Sequence, residues 1–193
     1  MTTSTTLPTM KLSDRAQSIP PSITLAISAQ VKEMKAAGLD VIAFGAGEPD
    51  FDTPRKISEA AVDSLLSGGT HYMPSSGTPE AREAIATKLR TENKIDCSQG
   101  NISINSGAKM SINLALMSIL DPGRNHEVVV PTPAWVSYKP MVELAGGTMI
   151  EVPTTVETDF KCTPDEIEQA ITENTKAIML NTPSNPCGTM YTP

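Results

Sequence analysis

Three short stretches of the sequence combine residue types that can bind a phosphorylated, planar ligand. In the first, NSGAK at residues 105–109, a glycine and Lys109 stand between a strand-like run and a long apolar helix. A helix start exposes unpaired backbone N–H groups and the positive end of the helix dipole, so it holds a phosphate well. An ordinary capped helix with a solvated lysine fits the same residues, and this alternative stays open here.

The other two stretches offer a flat ring and a fixed amide. Trp135 is the only tryptophan, and it follows a predicted strand and a Pro-x-Pro turn, where its indole can stack on a planar ligand. Asn185 has an amide donor and a carbonyl acceptor, while Pro186 fixes the backbone beside it and Gly188 frees the backbone just after. The structural alternatives are a tryptophan that caps the next helix and a plain Asn-Pro turn.

A fourth stretch, GAGEPDFDTP from residue 45, is rich in carboxylates. Gly45 and Gly47 allow the backbone to come close to a ligand, and the carboxylates are expected to face solvent or cap the next helix: Glu48, Asp50 and Asp52. A catalytic pair of carboxylates is an open alternative that no other feature of the stretch supports.

Other motifs with known chemistry are incomplete. The chain lacks the Gly-Lys-Ser/Thr of a Walker loop, and Gly45-x-Gly47 does not continue into the dinucleotide fingerprint. Ser106 to Lys109 matches Ser-x-x-Lys, but the partner motifs Ser-Asp-Asn and Lys-Thr-Gly are absent. The three cysteines and two histidines show no paired ligand spacing, so we expect no metal site.

Composition argues against several classes of partner. The formal net charge of −7 argues against a nucleic-acid partner, because phosphate backbones bind basic surfaces. No apolar stretch reaches the ~18 residues of a membrane span, and the N-terminus lacks the basic and apolar regions of a signal peptide. Cysteines that are widely spaced and odd in number favour a reducing compartment, so we expect a cytoplasmic protein without a membrane or nucleic-acid partner.

The elements that must position these stretches begin and end at recognisable signals. Apolar residues at helical spacing over 23–34 predict a helix that stops at Gly38. Three Thr-Pro steps predict helix starts with a threonine N-cap and proline at the first helical position: Thr53, Thr78 and Thr163. Thr163 and Glu166 also fit a capping box.

Strands and helices alternate along the chain. The strand-like runs are DVIAF, NISIN, EVVVP, TMIEVP and KAIMLN. Between them, AKMSINLALMSIL is apolar nearly all round and predicts a buried helix, and AWVSYKPMVELAG predicts a helix that ends at Gly146 despite Pro140. This alternation predicts an α/β fold, with a mostly parallel sheet, helices on both faces and a preceding N-terminal helical segment.

Taken in order, AGEPDFDTP, HYMPSSGTPEAREAIA, SGAK, PAWVSY and NTPSNPCG resemble the N-terminal half of the class I, fold-type I aminotransferases that depend on pyridoxal phosphate. The aspartate aminotransferase group is the most similar, from about Leu12 to Pro193. The resemblance implies a disordered tail at residues 1–11, a helical arm and strand of the small domain at 12–50, and an incomplete, cofactor-binding large domain at 51–193.

The resemblance also implies roles for single residues. Gly107, Ala108 and Lys109 resemble the loop beside the cofactor phosphate. Trp135 resembles the ring that stacks on the pyridine, and Asn185 resembles the amide that hydrogen-bonds the phenolate oxygen. These residues are the expected binding set for pyridoxal 5′-phosphate.

The substrate and the neighbouring subunit complete this implied site. Gly47, Trp135 and Asn185 are expected to border the substrate. Tyr72 resembles the tyrosine that reaches the cofactor phosphate of the neighbouring subunit, which implies a homodimer with shared active sites.

The activity implied by the resemblance is transfer of an amino group from aspartate, or another amino acid, to a 2-oxo acid. The family's Schiff-base lysine has no counterpart in its setting here, so the catalytic lysine is expected downstream and Pro193 is interpreted as a truncation point. The fragment itself is expected to be inactive and to bind cofactor weakly, if at all. Lys109 is a hypothetical partner for the distal carboxylate of a dicarboxylic substrate. The alternatives are another fold-type I enzyme, namely an aromatic or kynurenine aminotransferase or a β-lyase, and a non-catalytic relative.

The sequence departs from the family pattern at three positions. Cys187 stands where threonine is usual, Ala134 where an aromatic residue is common, and His71 where a basic residue is frequent. These changes bear on specificity and not on the reaction class. Family members often have cis bonds before the prolines that correspond to Pro133 and Pro186, so both bonds are predicted to be cis.

Overall fold

The computed structural model describes residues 10–45, 47 and 49–192. The predicted disordered tail therefore lies almost wholly outside the described residues. Within the described part of the chain, no helix has both the length and the apolar composition needed to cross a bilayer.

The chain divides into two compact units. The helical unit is Pro20–Ser103, and the sheet unit comprises the described residues of Met1–Ile19 and Ile104–Pro193. Each unit is described by itself below. The predicted domain division at residues 12–50 and 51–193 stays a prediction.

The elements of both units follow one another in a simple order. The helices of the described chain are α1 (Asp14–Gln17), α2 (Ile23–Ala36), α3 (Arg55–Leu66), α4 (Pro79–Glu92), α5 (Gly107–Ile119), α6 (Tyr138–Leu144) and α7 (Pro164–Ala170). The strands are β1 (Glu127–Thr132), β2 (Thr148–Pro153) and β3 (Thr175–Ile178), and short 3-10 turns lie at Gln99–Asn101 and Val156–Thr158.

In the helical unit, α2 has the boundaries that its sequence signals predict. The hydroxyl of Ser22 accepts a hydrogen bond from the Leu25 N–H at the start of the helix. Gly38 takes φ +81° after the last turn, and the N–H groups of Gly38 and Leu39 bond back to carbonyls of that turn. This helix needs no tertiary contact to fix either end.

The other two helices of this unit test the Thr-Pro signal. Thr78 caps α4 as predicted, and its hydroxyl accepts from the Ala81 N–H at 3.3 Å. The predicted cap at Thr53 is wrong, because the N-cap of α3 is Pro54 and no side chain caps this helix. Pro54 has an extended backbone with ψ 134°, so the helix begins one residue later than predicted.

Two predicted strands do not form. DVIAF at residues 40–44 and NISIN at residues 101–105 pair with no strand in the described chain. Ile42 and Phe44 are 80% and 93% exposed. A strand requires a neighbour that satisfies its backbone groups, and an apolar run does not by itself supply one.

The sheet unit is built on three parallel strands in the order β2-β1-β3. Val129 of the central strand lies opposite Ile150 of β2 and Ile178 of β3. Parallel neighbours need crossover connections, and helices α6 and α7 lie within them in the sequence. The predicted parallel α/β sheet is confirmed.

Helices cover both faces of this sheet, as predicted. Successive residues of a strand point to opposite faces, so Val128 and Val130 pack in one apolar cluster with residues of α5 and α6. Val129, between them, packs in a second cluster with Val152, Cys162 and residues of α7. All three valines of β1 are at most 1% exposed.

Helix α5 is less buried than its apolar composition predicts. Leu116 is its one buried residue, and several large apolar side chains are 44% to 58% exposed: Met110, Leu114, Met117 and Ile119. The helix packs one side on the sheet cluster, and the described chain leaves much of its other side exposed.

The ends of α6 and α7 follow the local signals. Pro140 lies in the first turn of α6, where its missing N–H costs no helical hydrogen bond. Gly146 ends α6 with φ +87°, and the start of α7 has the predicted capping box of Thr163 and Glu166. The burial of side chains on α6 and α7 nevertheless depends on packing against the sheet and not on these caps.

Candidate functional site

The segment that enters α5 makes a tight turn. The Gly107 N–H donates to the Asn105 carbonyl at 2.8 Å, and Ser106 between them has φ −72° and ψ 74°, which form an inverse γ-turn. Gly107 takes φ +77°, although an added Cβ would meet nothing within 4 Å. Glycine is therefore required here by the backbone conformation and not by lack of space.

The first turn of α5 presents unpaired donors to solvent. The side chain of Ser106 makes no capping hydrogen bond. Within the described chain, the backbone N–H groups of Ala108 and Lys109 have no hydrogen-bond partner, and both residues are exposed. Free N–H groups at the positive end of a helix dipole are an arrangement that binds anions.

Lys109 joins this helix start to the predicted aromatic ring. Its Nζ lies 5.1 Å from the centroid of the Trp135 ring, within the range of a cation–π interaction. The lysine is exposed and the indole is half-buried. The structure thus brings the cation and the flat ring together, as the sequence analysis requires of a shared site.

Trp135 is held by a second aromatic ring. The Tyr138 ring meets it edge-on, with centroids 5.4 Å apart and an interplanar angle of 89°. Tyr138 is 7% exposed, and burial raises the pKa of its hydroxyl. Tyr138 is therefore neutral at physiological pH and fixes the indole as a packed, uncharged support.

Asn185 lies on a loop that bonds mainly to itself. Its backbone N–H donates to Oδ1 of Asn181 at 2.9 Å. Two further bonds close the loop: the Gly188 N–H donates to the Ser184 carbonyl, and the Ser184 N–H donates to the Thr189 carbonyl. The Asn185 side chain is exposed and has no hydrogen-bond partner within the described chain.

A small cavity lies between the loop and Tyr138, and Trp135 does not line it. Asn185, Ser184 and Tyr191 line it from the loop, and Ala134 and Tyr138 line it from the segment that carries Trp135. Its volume is about 20 Å³, enough for one water molecule. Tyr138 is thus the link between Trp135 and Asn185, since it contacts the first and shares a cavity with the second.

Both predicted cis peptide bonds are confirmed. The bonds Thr132-Pro133 and Asn185-Pro186 are cis, and one borders Trp135 while the other borders the Asn185 amide. A third cis bond, Thr182-Pro183, lies in the same loop and was not predicted. No sequence feature distinguishes Pro183 from an ordinary trans proline.

Two predicted site residues belong to the helical unit. Gly47 is exposed, and a Cβ added there would meet nothing within 4 Å, while its neighbours Ala46 and Glu48 lie outside the described residues. Tyr72, in the segment between α3 and α4, is fully exposed. Their roles toward cofactor and substrate stay predictions.

The sequence analysis missed three residues that organise the loop and the aromatic pair. They are Tyr138, Asn181 and Tyr191. Tyr138 had a usable signal, because an aromatic three residues after Trp135 returns to the same side of a turn. Asn181 and Tyr191 had none, since each acts through contacts that only the folded loop makes.

The cysteines and the other side chains that could bind a metal ion would have to lie close together to meet the requirements of a metal site. Cys97, Cys162 and Cys187 are free thiols. In the part of the chain that the structure describes, no three His, Cys, Asp or Glu side chains lie close enough together to hold a metal ion.

The family model for aminotransferase class I and II matches residues 39–193, which is most of the chain. The chain belongs to this family. Similar aminotransferases include the probable aspartate/prephenate aminotransferase of Aquifex aeolicus, 47% identical over 180 residues, which covers 93% of this chain and 45% of the relative. The aspartate aminotransferase of Bacillus subtilis is 48% identical over 183 residues, covering 95% of this chain and 46% of the relative.

Solved aminotransferase structures have the same fold. The aspartate aminotransferase from Thermus thermophilus with maleate superposes with a TM-score of 0.86 at 44% identity, over 92% of this chain and 46% of that chain. The enzyme from Rhizobium meliloti gives 0.88 at 39% identity, over 95% and 45%. The predicted fold type I and the aspartate aminotransferase group are confirmed, and this chain spans less than half the length of the relatives it matches.

Proposed function

We propose that the chain is part of a pyridoxal-phosphate-dependent aminotransferase that moves an amino group from aspartate, or another amino acid, to a 2-oxo acid. The observation that carries this proposal is the cation at the helix start: Lys109 lies 5.1 Å from the Trp135 ring, beside the free N–H groups of α5. Family membership and relatives named aspartate aminotransferase support it.

The residues present fit pyridoxal phosphate. The backbone N–H groups of Ala108 and Lys109 would hold the phosphate, and Gly107 gives the turn that exposes them. The Trp135 face would stack on the pyridine ring, and the free amide of Asn185 would hydrogen-bond its phenolate oxygen. When bound, the cofactor supplies an electron sink for the substrate's reacting carbon.

The substrate would lie between the ring and polar groups of this chain. Asn185 would border the α-carboxylate side, and Trp135 would limit access of water to the ring. Lys109 would attract the distal carboxylate of a dicarboxylic amino acid, because it is an exposed cation beside the ring. The Thermus thermophilus relative was solved with maleate, a dicarboxylate, which supports a dicarboxylic substrate class.

We also propose that the enzyme is a cytoplasmic homodimer with shared sites. The three free thiols favour a reducing compartment. The exposed Tyr72 hydroxyl is available to a second copy, where it would bind the cofactor phosphate. Sedimentation of the protein expressed from its full gene should give a dimer, and Tyr72→Phe should weaken cofactor affinity without changing that state.

Cofactor binding tests the reaction class. The protein expressed from its full gene with pyridoxal phosphate should show the visible absorbance band of bound cofactor, and borohydride treatment should abolish it. It should also convert aspartate and 2-oxoglutarate to oxaloacetate and glutamate. Absence of both the band and the turnover would overturn the proposal and favour a non-catalytic relative.

A lysine substitution tests the substrate. Lys109→Ala should lower kcat/KM for aspartate by roughly 10- to 100-fold, the range expected when a charged hydrogen bond is lost. A neutral amino acid should lose far less. Lys139→Ala is the matched control, because Lys139 is an exposed lysine of the sheet unit that pairs with Glu143 at 3.4 Å. Equal losses on aspartate and the neutral substrate would exclude this role for Lys109.

A further inference from the structure

Among the residues that the structure describes, the loop that carries Asn185 has one hydrogen-bonded tie to a distant part of the sheet unit. The Cys162 backbone N–H donates to the Tyr191 hydroxyl at 3.1 Å. The Cys162 Sγ lies 3.1 Å from the same oxygen, so the hydroxyl contacts this residue twice. The two residues are 29 positions apart, and the contact therefore depends on the tertiary fold.

Tyr191 also bonds within the loop. Its backbone N–H donates to Oγ1 of Thr182 at 3.2 Å, across the base of the loop. The Tyr191 ring packs against the apolar cluster of Val129, Val152 and Cys162 on one face of the sheet. One residue thus joins the base of the loop, the sheet core and the segment just before α7.

The same ring faces the Asn185 side of the loop. Tyr191 and Asn185 line the small cavity that Tyr138 also lines. Burial first, and then the hydrogen bond with the Cys162 thiol, raises the pKa of Tyr191, and the bond from the Cys162 backbone N–H opposes this rise. The hydroxyl keeps its proton at neutral pH, so it can accept from the Cys162 N–H while it shares a hydrogen bond with the thiol.

We propose that Tyr191 is a positioning residue for Asn185, and that its hydroxyl contact with Cys162 holds the loop of residues 181–191 in place. The loop's own bonds fix its shape, but they do not fix its position on the sheet. The Tyr191 ring on the sheet cluster and its hydroxyl contact with Cys162 together supply that position. The part of the inference that concerns the cofactor rests on the proposed function, since it takes Asn185 as the group that meets the ring oxygen.

Amide hydrogen exchange tests the positioning without any cofactor. In the protein expressed from its full gene, Tyr191→Phe keeps the ring and removes the hydroxyl. The loop amides of Ser184, Asn185 and Gly188 should exchange about tenfold faster, as expected for loss of one hydrogen bond. Amides of β1 should be unchanged. Equal acceleration in β1, or no change in the loop, would overturn the proposal.

Two cysteine variants make the test independent of a folding failure in Tyr191→Phe. Cys162→Ala keeps the backbone N–H that donates to Tyr191 and removes the thiol contact, so loop exchange should rise by about threefold. Cys97→Ala is the matched control, because the Cys97 thiol lies in the helical unit and bonds to the Ala86 carbonyl at 3.9 Å. The control should leave loop exchange unchanged.

A spectroscopic readout tests the link to Asn185. Asn185→Ala should raise the pH at which the visible band of bound pyridoxal phosphate changes, because the phenolate loses a donor. Tyr191→Phe should shift this pH in the same direction by less, and the double variant should behave like Asn185→Ala. An additive shift would contradict positioning. Absence of any band in the unaltered protein would refute the proposed function, while the exchange result would still decide the role of Tyr191.

Discussion

The two units of the chain differ in how their residues are buried. In the helical unit, Ala86 is the one buried hydrophobic residue that the structure describes, whereas the sheet unit buries eleven. Both units have well-capped helices. The comparison teaches that caps decide where helices begin and end, and that a sheet with helices on both faces decides what is buried.

The helical unit shows what local signals achieve without such a sheet. Helix α3 has large apolar side chains that are 52% to 80% exposed: Ile57, Val62, Leu65 and Leu66. Its boundaries are nevertheless regular, and Gly68 ends it with φ +93°. In the sheet unit, Gly146 ends α6 in the same way, but there the surrounding atoms leave no space for a side chain.

The largest expected effect is the difference in stability loss when each of these two glycines is replaced by alanine. A Cβ at Gly146 would lie 2.7 Å from the Pro122 Cα, whereas one at Gly68 would meet nothing within 4 Å. Gly146→Ala should lower the free energy of unfolding by about 3 kcal/mol through crowding and left-handed strain, and Gly68→Ala by about 1 kcal/mol through strain alone. Urea unfolding followed by circular dichroism measures both. Equal losses would show that the two units are packed alike.

The next largest effect is the difference in stability loss between alanine substitutions at two valines, one in each unit. Val129 is fully buried in β1, and Val62 is 52% exposed in α3. Val129→Ala should cost about 2 kcal/mol, because it removes buried methyl groups, and Val62→Ala less than about 0.5 kcal/mol. Trp135 fluorescence during urea unfolding reports the sheet unit, and circular dichroism reports the helices of both. A large loss at Val62 would mean that another surface covers α3.

A smaller effect should appear in both units. The Thr78 and Thr163 hydroxyls each accept from a backbone N–H at a helix start, at 3.3 Å in both cases. Thr78→Ala should lower the free energy of unfolding by about 1 kcal/mol, and Thr163→Ala by at least as much, because its hydroxyl also donates to the Glu166 carboxylate at 2.9 Å. Thermal unfolding of the two variants, side by side, checks this. A cost confined to one unit would contradict a purely local origin of the helix boundaries.

The smallest expected effect is on the way stability changes at acidic pH. Hydrogen bonds from the Thr163 backbone and hydroxyl lower the pKa of Glu166 from its ordinary value of 4.5, and a hydrogen bond from Arg90 lowers the pKa of Glu83. A lowered carboxyl pKa in the folded chain stabilises above the unfolded value, and this contribution is lost as the pH falls through the folded value.

The expected pH dependence of stability follows from the lowered pKa values of these two carboxyl groups. Stability should fall as the pH drops below 4.5, and Glu166→Gln or Glu83→Gln should each make the fall shallower. Unfolding by urea between pH 6 and about pH 3 measures the slope. Glu168→Gln, on the same helix as Glu166, is the charge-matched control. A slope that neither variant changes would exclude these carboxylates as its source.

The sequence determined the local elements and most of the candidate site's residue types. The cap at Thr78 and the stops at Gly38 and Gly146 are where their residue types predict, because a cap is a contact between residues a few positions apart. The ordered motifs also sufficed for the family, and Trp135 and Asn185 follow β1 and β3, which are parallel and end at one edge of the sheet.

Only the tertiary structure decided which strands formed, what was buried and what held the Asn185 loop. DVIAF and NISIN resemble strands in composition but have no partner strand in the described part of the chain, because pairing joins residues far apart in the sequence. The links through Tyr138 and through Tyr191 to Cys162 are of the same kind. Local propensity cannot specify such contacts, since each depends on two segments that meet only after the sheet has assembled.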